Sequence, residues 1–263
     1  MKKHLSGDNH KRGSMNRAIN TYKTYSTFYD AYMGKYDADL DFYQSHCNQS
    51  ESIIEIGCGT GRILEFMLRQ GYRLTGVDIS QEMLDKANVK LRNWIDTGQL
   101  ELNNYDFSIG SIDGQFDKAL LSYFMFNYVL ENPADFLSNI YDSLNFNGLL
   151  LMDMLYPHSL VDPNSDGKWG EKDYHFDGFT VRSRECRTLI NNMEHRQQIM
   201  KIENKEVVLD TWRRYYSPVE LKKILTTVGF KSITFSNDYD YKSFRPMINV
   251  SNLRLNYIVR ARK

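Results

Sequence analysis

The 263-residue chain balances 33 Lys and Arg against 33 Asp and Glu, leaving a formal net charge of zero. That length buries one large core, or a core with a substantial inserted subdomain. Neutrality without a long basic run argues against tight binding to nucleic-acid phosphates. Among the 41% apolar residues, no stretch approaches a membrane span, Leu149-Leu150-Leu151-Met152 being far too short.

Residues 1–14 are polar and aperiodic and read as a disordered arm, with no apolar segment of the kind a secretory signal needs. From Met15 to Cys47, residues such as Tyr22, Tyr25, Phe28, Tyr29, Tyr32, Met33, Tyr36, Phe42 and Tyr43 recur at helical spacings and share one face. Residues 15–50 are therefore expected to form a helical segment ahead of the core. The run Ser52-Ile53-Ile54-Glu55-Ile56 passes through Gly57, Cys58, Gly59, Thr60 and Gly61 into Arg62, Ile63, Leu64, Phe66, Met67 and Leu68. That order reads as strand, tight turn and helix, the opening of a nucleotide-binding α/β unit. Glycine lets the backbone pass under a ligand with no Cβ in the way, and the helix that follows offers its first amides. Asp78 ends the next apolar run, Leu74-Thr75-Gly76-Val77, where a carboxylate can accept both hydroxyls of a ribose.

Ser80 is placed as the N-cap of a helix whose apolar face begins with Met83 and Leu84. Leu100–Tyr105 and Phe116–Ser122 read as the third and fourth strands, and Tyr123–Leu130 follows at the carboxyl end, where open α/β sheets place their ligand crevice. Asn132-Pro133-Ala134-Asp135 should cap a helix through Leu144, and Asn147-Gly148 should turn into a fifth strand, Leu149–Asp153. The chain then changes character. A polar loop over 160–172 precedes three β-rich runs, Phe179–Leu189, Glu194–Glu203 and Lys205–Tyr216, with Asn191-Asn192 and Asn204-Lys205 as turns. This predicts a three-stranded antiparallel insertion within 156–216. In 217–263, Ser217-Pro218-Val219-Glu220 opens a helix that Gly229 ends, and Phe230–Phe235 and Leu253–Arg260 supply two last strands. Cys47, Cys58 and Cys186 lie far apart without metal-ligand spacing, so they read as reduced thiols of a cytoplasmic protein.

Two ligand classes use such a glycine turn. Dinucleotide enzymes want Gly-x-Gly-x-x-Gly beneath a pyrophosphate; here the third glycine comes one residue early and Glu55 precedes the first. The pattern Glu55-x-Gly57-x-Gly59-x-Gly61, followed by Asp78, resembles motif I of class I S-adenosylmethionine (SAM) dependent methyltransferases of the small-molecule type. In layout the chain is similar to sugar-nucleotide N-methyltransferases and related natural-product tailoring enzymes. The resemblance implies a Rossmann-like, doubly wound, seven-stranded α/β sheet over a core of 51–155 and the last strands, an N-terminal helical lid, and the insertion as a substrate roof. It also implies SAM as cofactor, S-adenosylhomocysteine as product, a small-molecule substrate methylated on nitrogen or oxygen, and a monomer or homodimer.

By the same resemblance, Glu55, Gly57, Cys58, Gly59, Gly61, Asp78 and Tyr123 surround the cofactor, and Tyr22 or Tyr29 closes on its methionyl end. Ile79 and Met83 flank adenine; Asp106, or Asn103 if the register shifts by three, accepts from its exocyclic amine while the Phe107 ring packs on it, with a turn role for Asp106 as the rival reading. For a base, Tyr128 lies at the level where relatives often carry His, His158 leaves the fifth strand toward the crevice, and His175 lies in the roof with Tyr174. Of Arg213 and Arg214, one should point inward, where it could clamp a carboxylate or phosphate. Asp153 lacks the acid partners a metal would need, and no metal is expected. A nicotinamide-dependent oxidoreductase and a SAM-binding, non-catalytic or regulatory subunit are the competing readings.

Overall fold

In the computed structural model, which describes residues 29, 30, 33, 36–112, 114–156, 162–176, 179–202, 205–239, 243–248 and 256–263, the short apolar runs become strands and the periodic ones helices. The succession is α1 (Leu40–Ser45), β1 (Ile53–Ile56), α2 (Arg62–Arg69), β2 (Leu74–Asp78), α3 (Gln81–Lys90), α4 (Arg92–Asp96), β3 (Leu100–Asn104) and β4 (Phe116–Leu121). A 3-10 turn (Met125–Tyr128), α5 (Pro133–Ser143) and β5 (Leu144–Leu155) follow. After them come β6 (Trp169–Phe176), β7 (Phe179–Ile190), β8 (Met193–Ile202), β9 (Lys205–Arg214), α6 (Pro218–Val228), β10 (Lys231–Ser236) and β11 (Asn256–Arg262).

Seven strands form one sheet in the order β10-β11-β5-β4-β1-β2-β3. The pairs from β5 to β3 are parallel, and β11 runs antiparallel to both neighbours, β5 and β10. β1 has β2 on one side and β4 on the other, so the strand order reverses there and a crevice opens beyond the carboxyl ends. Both faces are buried, as a parallel sheet requires. Ile54, Met152 and Val259 pack on one face with Leu137 and Ile140 of α5 and Leu221 and Leu225 of α6. Ile53, Leu120 and Leu151 pack on the other with Phe42 and Tyr43 of α1, Leu64 and Met67 of α2 and Leu84 and Ala87 of α3. Each such side chain contributes about 1.5–3 kcal/mol when fully buried.

Local chemistry sets the ends of the helices. The Ser80 hydroxyl accepts from the Met83 amide at 3.3 Å, and the Ser217 hydroxyl from the Glu220 amide at 3.1 Å. Asn132 differs from the sequence expectation: its backbone is left-handed, its side chain makes no cap bond, and Pro133 starts α5. β5 also begins earlier than expected, at Leu144. Its pairing with β4 slips between Phe116 and Lys118, and Asn147 takes a φ of 63° at the irregularity.

The insertion between β5 and α6 is a second sheet, β6-β7-β8-β9, antiparallel throughout. It has four strands rather than three. The first half of β6 lies in the stretch read as a polar loop, and the described side chains of β6 other than Tyr174 are exposed. An edge strand held by backbone bonds to β7 needs no apolar alternation, so its letters give no strand signal. The β7–β8 hairpin turns through Asn191-Asn192 as expected, with Asn191 at φ 58°. Inward residues Val181, Met200, Val207 and Leu209 enclose Met83 of α3, which docks one end of this sheet beside the crevice. At its base, the fully buried Asn127 accepts from the Leu155 amide at 2.9 Å and donates to the Arg214 carbonyl at 2.7 Å.

Candidate functional site

The turn between β1 and α2 shows why glycine recurs. Gly57, Gly59 and Gly61 all take positive φ, at 77°, 56° and 78°, where a Cβ costs about 1 kcal/mol or more. At Gly57 space forbids it as well, because a Cβ would collide with Cγ of Met125. Gly57→Ala should therefore cost about 2–3 kcal/mol in chemical unfolding, from strain plus the displaced Met125; a loss below about 0.5 kcal/mol would show that the turn relaxes freely. The turn is also tied to β2. The Gly57 and Cys58 amides donate to the Val77 carbonyl at 2.7 and 3.0 Å, and the Gly59 amide to Asp78 Oδ2 at 2.8 Å.

Asp78 is thus already half engaged: its Oδ1 accepts from the Ser80 amide at 2.8 Å. Each carboxylate oxygen retains a lone pair for a ligand. Burial raises its pKa, opposed by the amides of Ser80, Gly59 and Ile79. Glu55 is buried more completely, 2% exposed. One oxygen accepts from the Ser122 hydroxyl at 2.7 Å, and the other, Oε2, has no hydrogen-bond partner among the described residues. Burial pushes this carboxyl up to about 8, with the Ser122 hydrogen bond and Arg62 pulling the other way.

Around these two acids lies a floor whose parts are scattered along the sequence. Arg62, the first residue of α2, donates to both oxygens of the fully buried Asp39 at 2.6 Å and to the Tyr36 carbonyl at 3.0 Å. Its guanidinium also lies over the Tyr36 ring, 5.2 Å from the centroid. Asp153, at the end of β5, accepts from the Tyr43 hydroxyl at 2.6 Å and the Tyr239 hydroxyl at 2.9 Å, and the latter lies 3.2 Å from the Tyr36 hydroxyl. Burial, then the nearby Asp39, pushes Asp153 up to about 6. Four buried or half-buried carboxyls thus share the neighbourhood of Arg62, and no group of three or more metal-type ligands occurs among the described residues. Such a site accommodates a cation better than an anion.

The aromatic wall comes from both sides. Tyr29 reaches across the turn, so that a Cβ on Gly59 would stand 3.9 Å from its ring. Its hydroxyl is pushed well above the usual range by burial and by neighbouring Tyr123, with Tyr128 and Asp78 adding to the effect and Arg62 opposing it. Tyr123 and Phe124, just past β4, both adopt left-handed backbone, at φ 52° and 63°. Two such non-glycine residues in succession store strain at the crevice rim. Tyr123 packs edge-on against Tyr36, centroids 5.4 Å apart.

Glu55, the three glycines, Asp78, Tyr29, Tyr123 and Tyr128 therefore converge, and Ile79 stands exposed beside them. Cys58 is turned into the sheet core, and Met83 into the cluster under the insertion. The Phe107 ring does not face the crevice; it is 1% exposed in the core, against Tyr105 and Phe136. Asp106 accepts from the Ser108 amide at 2.8 Å and so closes a turn. Exposed His175, with Nδ1 3.1 Å from the Thr180 hydroxyl, is on the strand edge. Tyr22 and His158 lie outside the described residues.

Residues 54–150 match the profile of a family described as a methyltransferase domain. A protein of Geobacillus sp. (strain WCH70), provisionally named a methyltransferase, is 30% identical over 145 residues, 51% of this chain and 57% of that protein. The chain thus spans under two thirds of that relative's length. A SAM-dependent methyltransferase structure from Clostridium acetobutylicum superposes with a TM-score of 0.71 at 18% identity, over 90% of this chain and 98% of the other. SAM-bound CalS10, an amino pentose methyltransferase from Micromonospora echinaspora involved in calicheamicin biosynthesis, gives a TM-score of 0.65 at 15% identity, over 90% and 97%. Residues 54–150 thus match a methyltransferase-domain profile, within a chain that shares the fold of solved SAM-dependent methyltransferase structures.

Proposed function

We propose that the chain transfers a methyl group from SAM to a nitrogen or oxygen of a small molecule. One observation carries this reading: Glu55 Oε2 is buried and without a hydrogen-bond partner among the described residues, in a floor richer in acids than in cations. Leaving such an oxygen unpaired costs about 1–3 kcal/mol. A ligand with an ammonium and a sulfonium removes that cost, whereas a diphosphate would meet repulsion. The likeness in fold to CalS10, an amino pentose methyltransferase, supports the choice of a small molecule.

In this reading the Gly57–Gly61 turn receives the methionine half of the cofactor, with Cys58 contributing backbone alone. Glu55 holds the ammonium and Asp78 the ribose hydroxyls. Tyr29 and Tyr123 wall the sulfonium from water, with Tyr22 as a further member of the lid. Ile79 borders adenine, Met83 instead supporting the insertion, and Asp106 accepts from the adenine amine. The cofactor supplies an activated methyl group, so the work of the chain is alignment and water exclusion. Tyr128, between Tyr29 and the insertion, orients the acceptor atom through its hydroxyl; His158 is the second residue assigned there. An amine needs only to be deprotonated before attack, while a hydroxyl wants a positioned base.

SAM or S-adenosylhomocysteine at about a hundred times its dissociation constant should stabilise the protein by about 2.7 kcal/mol, and NADH should not. Asp78→Ala should weaken SAM binding by about 1–3 kcal/mol in calorimetry. Stabilisation by NADH with none by SAM would discard the assignment.

A further inference from the structure

The inner face of the insertion changes character along its length. Where it meets Met83 it is apolar, as a packed sheet should be. Toward the 3-10 turn, the inward positions include Glu185, Arg187, Glu194, Arg196, Thr211 and Arg213, beside Leu189 and Gln198. Arg187 pairs with Glu185 at 2.6 Å, Arg196 with the same carboxylate at 2.5 Å, and Arg213 with Glu194 at 2.7 Å. Arg213 and Glu194 are 6% and 1% exposed. Three guanidiniums against two carboxylates leave an excess of one positive charge among these side chains. Arg187 and Arg196 are also directly opposite each other in the register, an unfavourable arrangement for like charges.

Burying ions this way costs several kcal/mol each unless every donor is used, and apolar residues would cover the crevice more cheaply. Not every donor is used. Arg213 Nε and Thr211 Oγ1, on successive inward positions of β9, are buried and have no hydrogen-bond partner among the described residues. They share the face of β9 that carries Val207 and Leu209 onto Met83, and β9 packs against the 3-10 turn that ends at Tyr128.

We propose that the substrate carries an oxyanion, a carboxylate or a phosphate, received by Arg213 Nε and Thr211 Oγ1 on the inner face of the insertion. This rests on the reading above for the word substrate, but not for the binding site itself. A planar guanidinium edge with an adjacent hydroxyl matches the geometry of either anion.

Inorganic phosphate and acetate are the probes, titrated into the protein with and without S-adenosylhomocysteine and followed by the 15N signal of the Arg213 side chain. Wild type should respond to at least one of them at about 1–50 mM, the range expected of a lone small anion. Preference for phosphate or acetate identifies the source of the oxyanion. Thr211→Val removes an unpaired buried hydroxyl, so it should hold or raise the melting temperature while weakening the anion about 5- to 50-fold. Arg213→Lys keeps the charge, loses the planar edge, and should weaken the anion similarly, followed by calorimetry. Anion binding unchanged in both variants, or absent from wild type, overturns the proposal. S-adenosylhomocysteine binding, measured separately, should be unaffected by Thr211→Val; its absence in wild type would instead remove the methyltransferase reading and leave the anion site standing.

Discussion

Glu55→Gln should weaken SAM binding at pH 8 by about 2–4 kcal/mol, a loss of roughly 30- to 1000-fold, because a buried charge-assisted contact to the ammonium is replaced by a neutral one. The free protein should behave in the opposite sense. With its pKa raised by burial to about 8 from an ordinary 4.5, the folded state holds a proton that the unfolded chain releases. The stability contributed by this group is then fully present below about pH 4.5 and lost as pH climbs through 8. Asp153, pushed up to about 6, adds a smaller decline of the same sign between pH 4 and 6. Glutamine mimics the protonated acid, so the variant should keep its stability between pH 6 and 8 where wild type loses some. Binding a cation favours the ionised acid. SAM affinity should therefore rise up to about tenfold per pH unit from 6 toward 8 in wild type, with proton release, and stay flat in the variant. Calorimetry in buffers of differing ionisation enthalpy reads that proton; equal pH profiles for the two proteins would mean that Glu55 does not face the cofactor.

Arg62→Met should destabilise the protein by about 3–5 kcal/mol, since it leaves the carboxylate of Asp39 buried, charged and stripped of both its 2.6 Å hydrogen bonds. The pair Asp39→Asn with Arg62→Met should recover much of that loss, because no uncompensated charge is left. Urea unfolding of the two single variants and the double variant measures the coupling. A single-variant loss under about 1 kcal/mol would mean that the pair is hydrated in solution and behaves as a surface bridge.

The contrast between Glu55 and Asp39 marks how far letters alone reach. Strand, glycine turn and helix at 53–69 were legible because the signal is contiguous: β-branched run, positive-φ glycines, apolar period. So were the Ser80 and Ser217 caps and the Asn191-Asn192 hairpin, each a local hydrogen-bond pattern. Asp39 with Arg62, Glu55 with Ser122 and Tyr43 with Asp153 are 23, 67 and 110 residues apart. No spacing rule joins such partners; topology does, by bringing the ends of β1, β4 and β5 level with α1. Phe107 failed for another reason, since the side of the chain on which a ring emerges after a strand turns on a single residue of register. β6 was invisible because its partner is a backbone, and backbone pairing leaves no mark on composition.

Asn127 joins the two stems of the four-stranded insertion through one amide group, bonding Leu155 as the chain departs and Arg214 as it returns. Departure and re-entry are therefore neighbours, and the seven-stranded sheet closes beneath them whatever lies between. A different cap of comparable span, grafted at these two points with the amide kept, should leave the Gly57–Gly61 turn, its acids and the strand order in place. On the proposed function, acceptor selectivity could then be redesigned in the cap while the donor site stays constant.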